Sequence, residues 1–530
     1  MDALFIVLVA SVVLHSKKSL LELKFIMDEM EEWEFDVDVA RAEELGHSRR
    51  LDVHRWSDHQ EVNSFVAEIF DQISSTGNPR IRREHVKVVL LDLYVAWCDD
   101  PTLKISFPRS PNEYRAGSIY NELNISRTTI DVVDELRTSG FVEFAVGFID
   151  RNSGIGRYSR MWPTDILIEK FRDARFEKFD IGNDPTRVAV KLNDIDGGSL
   201  DYTDNEETIR MGNVLAPYND LLRMTYISIP NLSDMKIALG NPVRSEQGFL
   251  QVSQNDKFIY RVFSRNSFEL GGRFYGGWWH RCPSNYRKDI FINDQPTNEI
   301  DYSGLHPAML YAREGIDYWN EIGDDLYDVG DVEFVEDKSS IRGIVKSLFL
   351  VLLNSRSLSS SFGAFRDEQP TGSMEKTFTN SQLSLVVDLI KEKHASISHY
   401  LHSDVGIELQ YLDSQITETV ISYFTDLGVP VLSVHDSYII EMGWENELGE
   451  VMYKAFSKIM GVDMKPNITE TDYRYEEAFQ ILNVRYNPYD RSTQDETNDM
   501  ELYRTVHPEK SERYLREWQD FQRWRDGLTN

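Results

Sequence analysis

Two stretches decide how this chain folds: Asn298-Glu299-Ile300-Asp301-Tyr302-Ser303-Gly304-Leu305-His306-Pro307 and, far downstream, Val434-His435-Asp436-Ser437. In each, an aspartate sits at the end of a short β-branched and apolar run, the pattern of a strand end. Two neighbouring strands of this kind deliver two carboxylates to one point. Hard divalent cations take such oxygen ligands: Mg²⁺ is held by one or two carboxylates together with substrate phosphates, and a pair of ions stabilises both the attacking and the leaving oxygen in phosphoryl transfer. Asp301 and Asp436 are therefore the candidate ligands of two Mg²⁺ ions, with Mn²⁺ as a substitute, and the chemistry they point to is nucleotidyl transfer.

Between the aspartates runs Arg342-Gly343-Ile344-Val345-Lys346-Ser347-Leu348-Phe349-Leu350-Val351-Leu352-Leu353-Asn354-Ser355. Arg342, Lys346, Leu350 and Asn354 follow one another at intervals of four, so a helix lines them along one face. Such a face holds a triphosphate with its cations and a base or sugar with the rest. A solvated helix edge is the bland alternative for the two cations, and strand-end turn residues the alternative for the aspartates.

The order of aspartate motif, Arg-x-x-x-Lys helix and His-Asp motif resembles motifs A, B and C of the family A DNA polymerases and their relatives, the phage-type single-subunit RNA polymerases, over residues 260–445. The resemblance implies an α+β fold: a right-hand polymerase with an antiparallel palm sheet carrying Asp301 and Asp436, and helical fingers. It implies Lys346 and Arg342 on the incoming triphosphate, His435 facing the primer terminus, and Gln415 on a minor-groove-reading helix. It also puts His306 beneath the sugar, where an imidazole crowds a 2′-hydroxyl; the family's DNA enzymes more usually carry glutamate there. Asn354 and Leu350 stand where aromatic residues are common, and the His-Asp-Ser form is more typical of the RNA polymerases, so sugar choice stays open. The expected activity is DNA-directed DNA synthesis on template and primer from nucleoside triphosphates, with replication proteins as possible partners. The alternatives are a primase or single-subunit RNA polymerase, and a DNA-binding replication initiator with an inactive palm.

Composition sets bounds. With 57 Lys plus Arg against 88 Asp plus Glu, the 530 residues carry a formal charge of -31, which excludes a generally basic nucleic-acid binder. The cations concentrate locally at Arg261, Arg265, Arg273, Arg281, Arg287 and Lys288, interleaved with Phe274, Tyr275, Trp278, Trp279 and Tyr286. That mixture suits a single-strand or template path; a half-buried hairpin with snorkelling arginines is the competing reading. Cys98 and Cys282 lack the spacing of a zinc site or disulfide framework, which fits a cytoplasmic protein. The apolar run Leu4 to Leu14 is too short for a comfortable membrane span, so no stable membrane association is expected.

Five segments are expected. Residues 1–80 form an acidic, helical lead-in; 81–172 a winged helix-turn-helix-like domain; 173–300 a thumb-like or palm-flanking region; 301–485 the palm and fingers; 486–530 a helical tail. In the second segment, Val86 to Trp97 and Ser118 to Leu123 read as helices, and Ser126 caps a third running to Leu136. Arg127, Thr128 and Thr129 are its candidate DNA contacts, with Arg151, Arg157 and Arg160 on the wing. Protein docking is the other use of such a domain.

Overall fold

A wholly buried carboxylate, Asp92, ties together the first elements of the computed structural model, which describes residues 46–73, 77–149, 156–239, 248–335, 337–471 and 508–529. Strand β1 (Ser48–Arg50) is followed by helices α1 (Gln60–Gln72) and α2 (Pro79–Asp99). Helix α2 starts where Pro79 occupies the first turn and the Asn78 side chain accepts from the Arg80 amide, a favourable N-terminus. From its middle, Asp92 accepts two bonds from the Arg49 guanidinium (2.7 and 2.8 Å), one from Arg55 (3.2 Å) and one from the Asp52 amide (3.0 Å). Burying this charge is tolerable because every lone pair has a donor.

Strand β2 (Lys104–Phe107), helix α3 (Thr128–Thr138), strands β3 (Val142–Ala145) and β4 (Ser159–Pro163), and helix α4 (Asp165–Arg172) complete this part. The sheet order is β1-β2-β4-β3, with β1 parallel to β2 and the other pairs antiparallel. Val66, Val89, Leu93, Ile105, Val132, Leu136 and Met161 share its core. The third helix, expected from Ser126 to Leu136, is α3, set two residues later. Ser118 to Leu123 is turn rather than helix, because side chains there capture the backbone: Asn121 bonds the carbonyls of Arg115 and Ile125, and Ser118 bonds Asp201. Residues 47–59 are not part of a helical lead-in either, since β1 enters the sheet. The expected boundary between residues 80 and 81 falls inside the first turn of α2. Thr129 and Arg160 are buried and offer nothing to DNA, whereas Arg127 is exposed just ahead of α3; Arg151 and the apolar and acidic runs before residue 46 lie outside the described residues.

The second core is larger. Strand β5 (Val190–Leu192), helix α5 (Glu206–Arg223), strand β6 (Ile227–Ser228) and the long hairpin β7 (Ile259–Ser264) and β8 (Ser267–Gly276) lead to β9 (Phe291–Ile292) and β10 (Gln295–Tyr302). After β10 come helices α6 (Leu305–Arg313), α7 (Lys338–Leu353), α8 (Leu358–Glu368), α9 (Asn380–Lys393) and α10 (Gly406–Asp426). The hairpin β11 (Val431–Val434) and β12 (Ser437–Glu441), helix α11 (Glu445–Met460), strand β13 (Ile468–Thr471) and helix α12 (Glu512–Thr529) follow. The fold is thus mixed α+β.

Its central sheet is antiparallel throughout, ordered β6-β9-β10-β12-β11, with β13 pairing β10 as well. Strand β10 is polar for a central strand, yet its buried polar side chains are satisfied: Thr297 bonds the Ile290 carbonyl at 2.7 Å, Asn298 bonds Glu445 at 2.8 Å and Glu299 bonds Arg287 at 2.9 Å. Past β10 the chain turns at Gly304, whose φ of +69° and close approach to Leu326 (a Cβ there would lie 2.5 Å from its Cδ1) require glycine. Helix α12 closes the far side, Tyr514 bonding Asp294 at 2.7 Å and Trp524 bonding Asp180 at 2.9 Å. None of the described helices is long and apolar enough to cross a membrane.

Replacing Asp92 with alanine leaves Arg49 and Arg55 facing each other without their shared anion. The expected loss is about 3–5 kcal/mol of unfolding free energy, the usual cost of breaking a buried ion pair; denaturant titration of Asp92→Ala measures it, and a loss below about 1 kcal/mol would refute the anchoring role.

Candidate active site

Strand register brings the two aspartates together. Asp301 stands opposite Ser437 in the β10-β12 ladder, so it lies beside the two-residue turn His435-Asp436 that joins β11 to β12 through the Val434–Ser437 pair. The Tyr302 amide donates to the Asp436 carbonyl at 3.4 Å, extending the ladder into the turn. His435 takes a φ of +59°, a left-handed conformation costly for a residue other than glycine. Both carboxylates are half-buried. Burial, and then the charge of Asp436, push the Asp301 carboxyl up to about 7, with Lys346 pulling the other way. The pair is one electrostatic unit.

Across from it lies the face of α7. Arg342 and Lys346 are exposed, Leu350 is half-buried, and exposed Asn354 just beyond the helix end lies against Gly406, where a Cβ would sit 2.1 Å from the amide oxygen. Buried Tyr327 bridges the helix to the carboxylates: the Arg342 guanidinium is 5.4 Å and the Lys346 ammonium 5.9 Å from its ring centre. Its hydroxyl comes within 3.3 Å of where a Cβ on Gly304 would be, directly after Asp301-Tyr302-Ser303. Burial and the charge of Asp436 raise its pKa well above the usual phenol range, so it stays a neutral hydrogen-bonding group. Arg342 is also paired with Asp325 at 2.6 Å.

Behind the carboxylates is a second charge network. Arg273 of β8 donates to Asp413 of α10 at 2.7 Å and approaches the His306 ring nitrogen at 3.2 Å. Burial, moderated by Arg273, raises the Asp413 carboxyl to about 6, with the Asp436 charge adding to the rise. Burial, then Arg273, lowers His306 to about 3, so its ring is neutral and its Nε2 accepts from the guanidinium. Although burial opposes it, Asp413 and Asp436 hold Arg273 firmly cationic. On the adjoining strand, Arg287 clamps Glu299 at 2.9 and 3.0 Å, and Ser437 adds a bond to the same carboxylate at 2.7 Å.

Asp301, Asp436, Lys346 and Arg273 thus act on one another electrostatically, His435 sits in the same turn as Asp436, and Arg342 and His306 lie one contact further out, against Tyr327 and Arg273. Other expected residues lie elsewhere or are engaged. Arg261 is 1% exposed and bonds the Gly272 carbonyl, Ser414 and Glu418, so it is packed into the protein rather than lining a nucleic-acid path. Trp278 and Trp279 are fully buried and present no stacking surface. Arg265 is paired with Asp404 at 2.8 and 2.9 Å, a carboxylate shared with Arg356. Gln415 is half-buried on α10, and its amide nitrogen is buried without a partner among the described residues. Arg127 is exposed ahead of α3, away from the aspartates' sheet.

Sequence reasoning passed over Tyr327, Asp325 and the Arg287–Glu299 pair, whose contacts arise only from packing. Asp413 did carry a signal: with Leu409, Ile416 and Val420 it lies in the buried stripe of α10, and a carboxylate there demands a cation. Among the described residues, no group of three or more His, Cys, Asp or Glu side chains is arranged to hold a metal ion by itself.

No family model matches the chain, and no curated protein matches it in sequence. Among solved structures it is similar to the POL domain of Pol1 from M. smegmatis, described in complex with DNA primer-template and dNTP, with 12% identity and a TM-score of 0.30. The alignment covers 79% of this chain and 66% of that one, so the chain spans just under two thirds of the neighbour's length.

Asp301 holds its proton to a higher pH in the folded chain, about 7, than in the unfolded chain, about 3.9. The folded state therefore binds more protons between these values, and the stability contribution present at low pH is lost as pH rises through them. Asp301→Asn, which cannot ionise, should unfold at a higher temperature than the parent at pH 8 in EDTA and at the same temperature near pH 4. Thermal melts across this range check it, and a difference independent of pH would show that Asp301 is not strained by its neighbour's charge.

Proposed function

We propose that the chain is a template-directed nucleotidyltransferase that joins nucleoside triphosphates to a growing strand, with DNA synthesis as the first reading. The observation that carries this is the meeting of Asp301 and Asp436 opposite the Arg342 and Lys346 face of α7, with Tyr327 between them. The donor set fits divalent ions: burial and then the charge of Asp436 raise the Asp301 carboxyl to about 7, and a bound cation would relieve both. Asp301 and Asp436 would hold the metal. Bound there, Mg²⁺ supplies a lowered pKa at the attacking hydroxyl and charge compensation at the phosphoryl group.

The remaining work belongs to the protein. Lys346 and Arg342, exposed and cationic, draw in the triphosphate and orient it toward the carboxylates, which is positioning plus electrostatic stabilisation. Tyr327 keeps their alkyl stems and charges in register with Asp301 and Asp436. Arg273 is fixed by Asp413 and His306, so that a cation lies beside Asp436. His435 stands at the turn next to the site, in reach of a strand terminus held there.

Ribonucleotide synthesis or priming is the second reading. It is favoured by His306, whose ring is buried against Arg273 and so less available to crowd a 2′-hydroxyl. An initiator with an inactive site is the reading that remains if neither sugar is incorporated.

Primer extension in Mg²⁺, with dNTPs and NTPs offered separately, tests all three. Asp301→Ala and Asp436→Ala should each lower incorporation by about a hundredfold or more, since either change removes half of the carboxylate pair. Incorporation near the parent rate by either folded variant would sink the assignment. Lys346→Ala should raise KM for nucleotide and lower kcat, each by roughly tenfold, because a cation on the triphosphate acts in both ground and transition states; steady-state kinetics with both parameters unchanged would remove α7 from the site.

A further inference from the structure

A second feature leads away from the aspartate turn. Strands β8, β7 and β5 form a three-stranded sheet in that order. Along β7, Ile259, Arg261 and Phe263 are buried while Tyr260, Val262 and Ser264 are partly exposed, so one face is open. Register sets Tyr275 of β8 opposite Tyr260, and Lys191 of β5 opposite Val262, all partly exposed.

The open face carries alternating rings and cations. His435, in the turn that holds Asp436, has its ring centre 6.1 Å from that of Tyr275, and Tyr275 is 6.5 Å from Tyr260. The Lys191 ammonium lies 3.9 Å from the Tyr260 ring centre, and one step further the Arg187 guanidinium lies 4.1 Å from that of Phe258. Arg187 and Phe258 then form part of the wall of a cavity of about 560 Å³, whose lining also includes Asn183, Asn213, Arg223 and Trp524. The Arg223 guanidinium is 5.7 Å from the Trp524 ring centre and exposed.

Acidic groups accompany these cations: Asp52 and Glu122 act on Arg187 and Lys191, although Asp52 is also paired with Arg55 at 3.3 Å and Glu122 with His54 at 2.8 Å, and Asp184, Asp204 and Asp220 share the cavity wall with Arg187, Arg223 and Lys257. In a chain of net charge -31, a line of cations set on aromatic rings is a local concentration of positive charge. Aromatic faces that stack bases beside cations that track a backbone are the two components of a single-strand binding surface. A duplex, with its bases stacked internally, uses only the second.

We propose that this face and the cavity at its end bind single-stranded nucleic acid, running from the Asp436 turn across Tyr275 and Tyr260 to Trp524. The rings of Tyr275, Tyr260 and Phe258 take bases, Lys191, Arg187 and Arg223 take phosphates, and the cavity takes one nucleotide of the strand. The identity of the strand as one handled by the aspartate site rests on the nucleotidyltransferase reading; the binding surface itself does not.

Fluorescence anisotropy with labelled oligo-dT and oligo-U of about twenty nucleotides tests the proposal. Tyr260→Ala should weaken binding roughly tenfold, as loss of a stacking ring does, while Tyr260→Phe keeps it. Lys191→Gln and Arg223→Gln should each reduce the slope of log affinity against log salt by about 0.7, one phosphate contact on a single strand. Cross-linking of bromouridine-substituted oligo-dU to the unmodified chain, which needs no variant to fold, should yield peptides containing Phe258, Tyr260 or Trp524. Tighter binding of one oligonucleotide assigns the sugar and supports the surface in either case. Parent affinity and salt slope in all three disruptive variants, or cross-links confined to other peptides, would overturn it. Site-dependent binding without nucleotide incorporation would refute the enzymatic reading alone, and incorporation with cross-links elsewhere would refute this inference alone.

Discussion

Two carboxylates held side by side by strand register are the constraint around which this molecule is organised. The pairing of Asp301 with Ser437 gives the aspartates no freedom to separate without breaking the β10-β12 ladder. Partial burial makes their repulsion stronger than it would be in water. Folding tolerates it because cations arrive from several directions: Lys346 from α7, Arg273 from β8 and Arg287 from the segment before β9 all act on this region electrostatically. The two arginines have their own anchors. Arg273 is fixed by Asp413 and Arg287 by Glu299, so the site is a lattice of alternating charge rather than an isolated pair. The raised pKa of Asp301 is the residue of repulsion and burial that these cations leave uncompensated.

The acidic character of the whole chain sharpens this. Exposed charges further apart than a Debye length, about 8 Å at physiological salt, are largely screened from one another. A polyanionic ligand therefore meets repulsion over most of the surface and attraction only where cations are grouped. The exposed face of α7 and the open face of β5, β7 and β8 are such places, and both adjoin the aspartate turn. Locality of charge limits where any polyanion can settle on such a surface.

How much of this could be read from residues alone depends on whether a contact is local. The aspartates were legible because strand-forming runs lead into them, and the α7 face because intervals of four survive any tertiary arrangement. The arginine-rich segment from Arg261 to Lys288 was legible only as a mixture. In a strand, neighbouring side chains point to opposite faces, and when arginines and aromatics occupy both, nothing in the order says which face is covered. Arg261 fell on the covered side, against Glu418 and Ser414, while Tyr260 and Tyr275 fell on the open one. Trp278 and Trp279, attractive as stacking platforms, are core residues. Tyr327 was invisible because its role depends on the packing of its loop between α7 and Gly304, a juxtaposition that no spacing encodes.

The two halves of the site also differ in how firmly they are held. Asp436 is placed by a two-residue turn so tightly specified by the flanking strands that His435 accepts a left-handed backbone, and such strain persists only where the surroundings over-determine it. Asp301 shares that rigidity through ladders on both sides of β10. Lys346 and Arg342 instead project from an exposed helical face, both near the Tyr327 ring and Arg342 paired with Asp325. Under the proposed function, long, solvated cations would adjust to a triphosphate as it enters, whereas reacting groups would need to be in place beforehand to contribute at the moment of reaction. The division follows from the elements themselves: a central antiparallel sheet fixes positions through register, and a helix surface supplies charge with freedom to adjust.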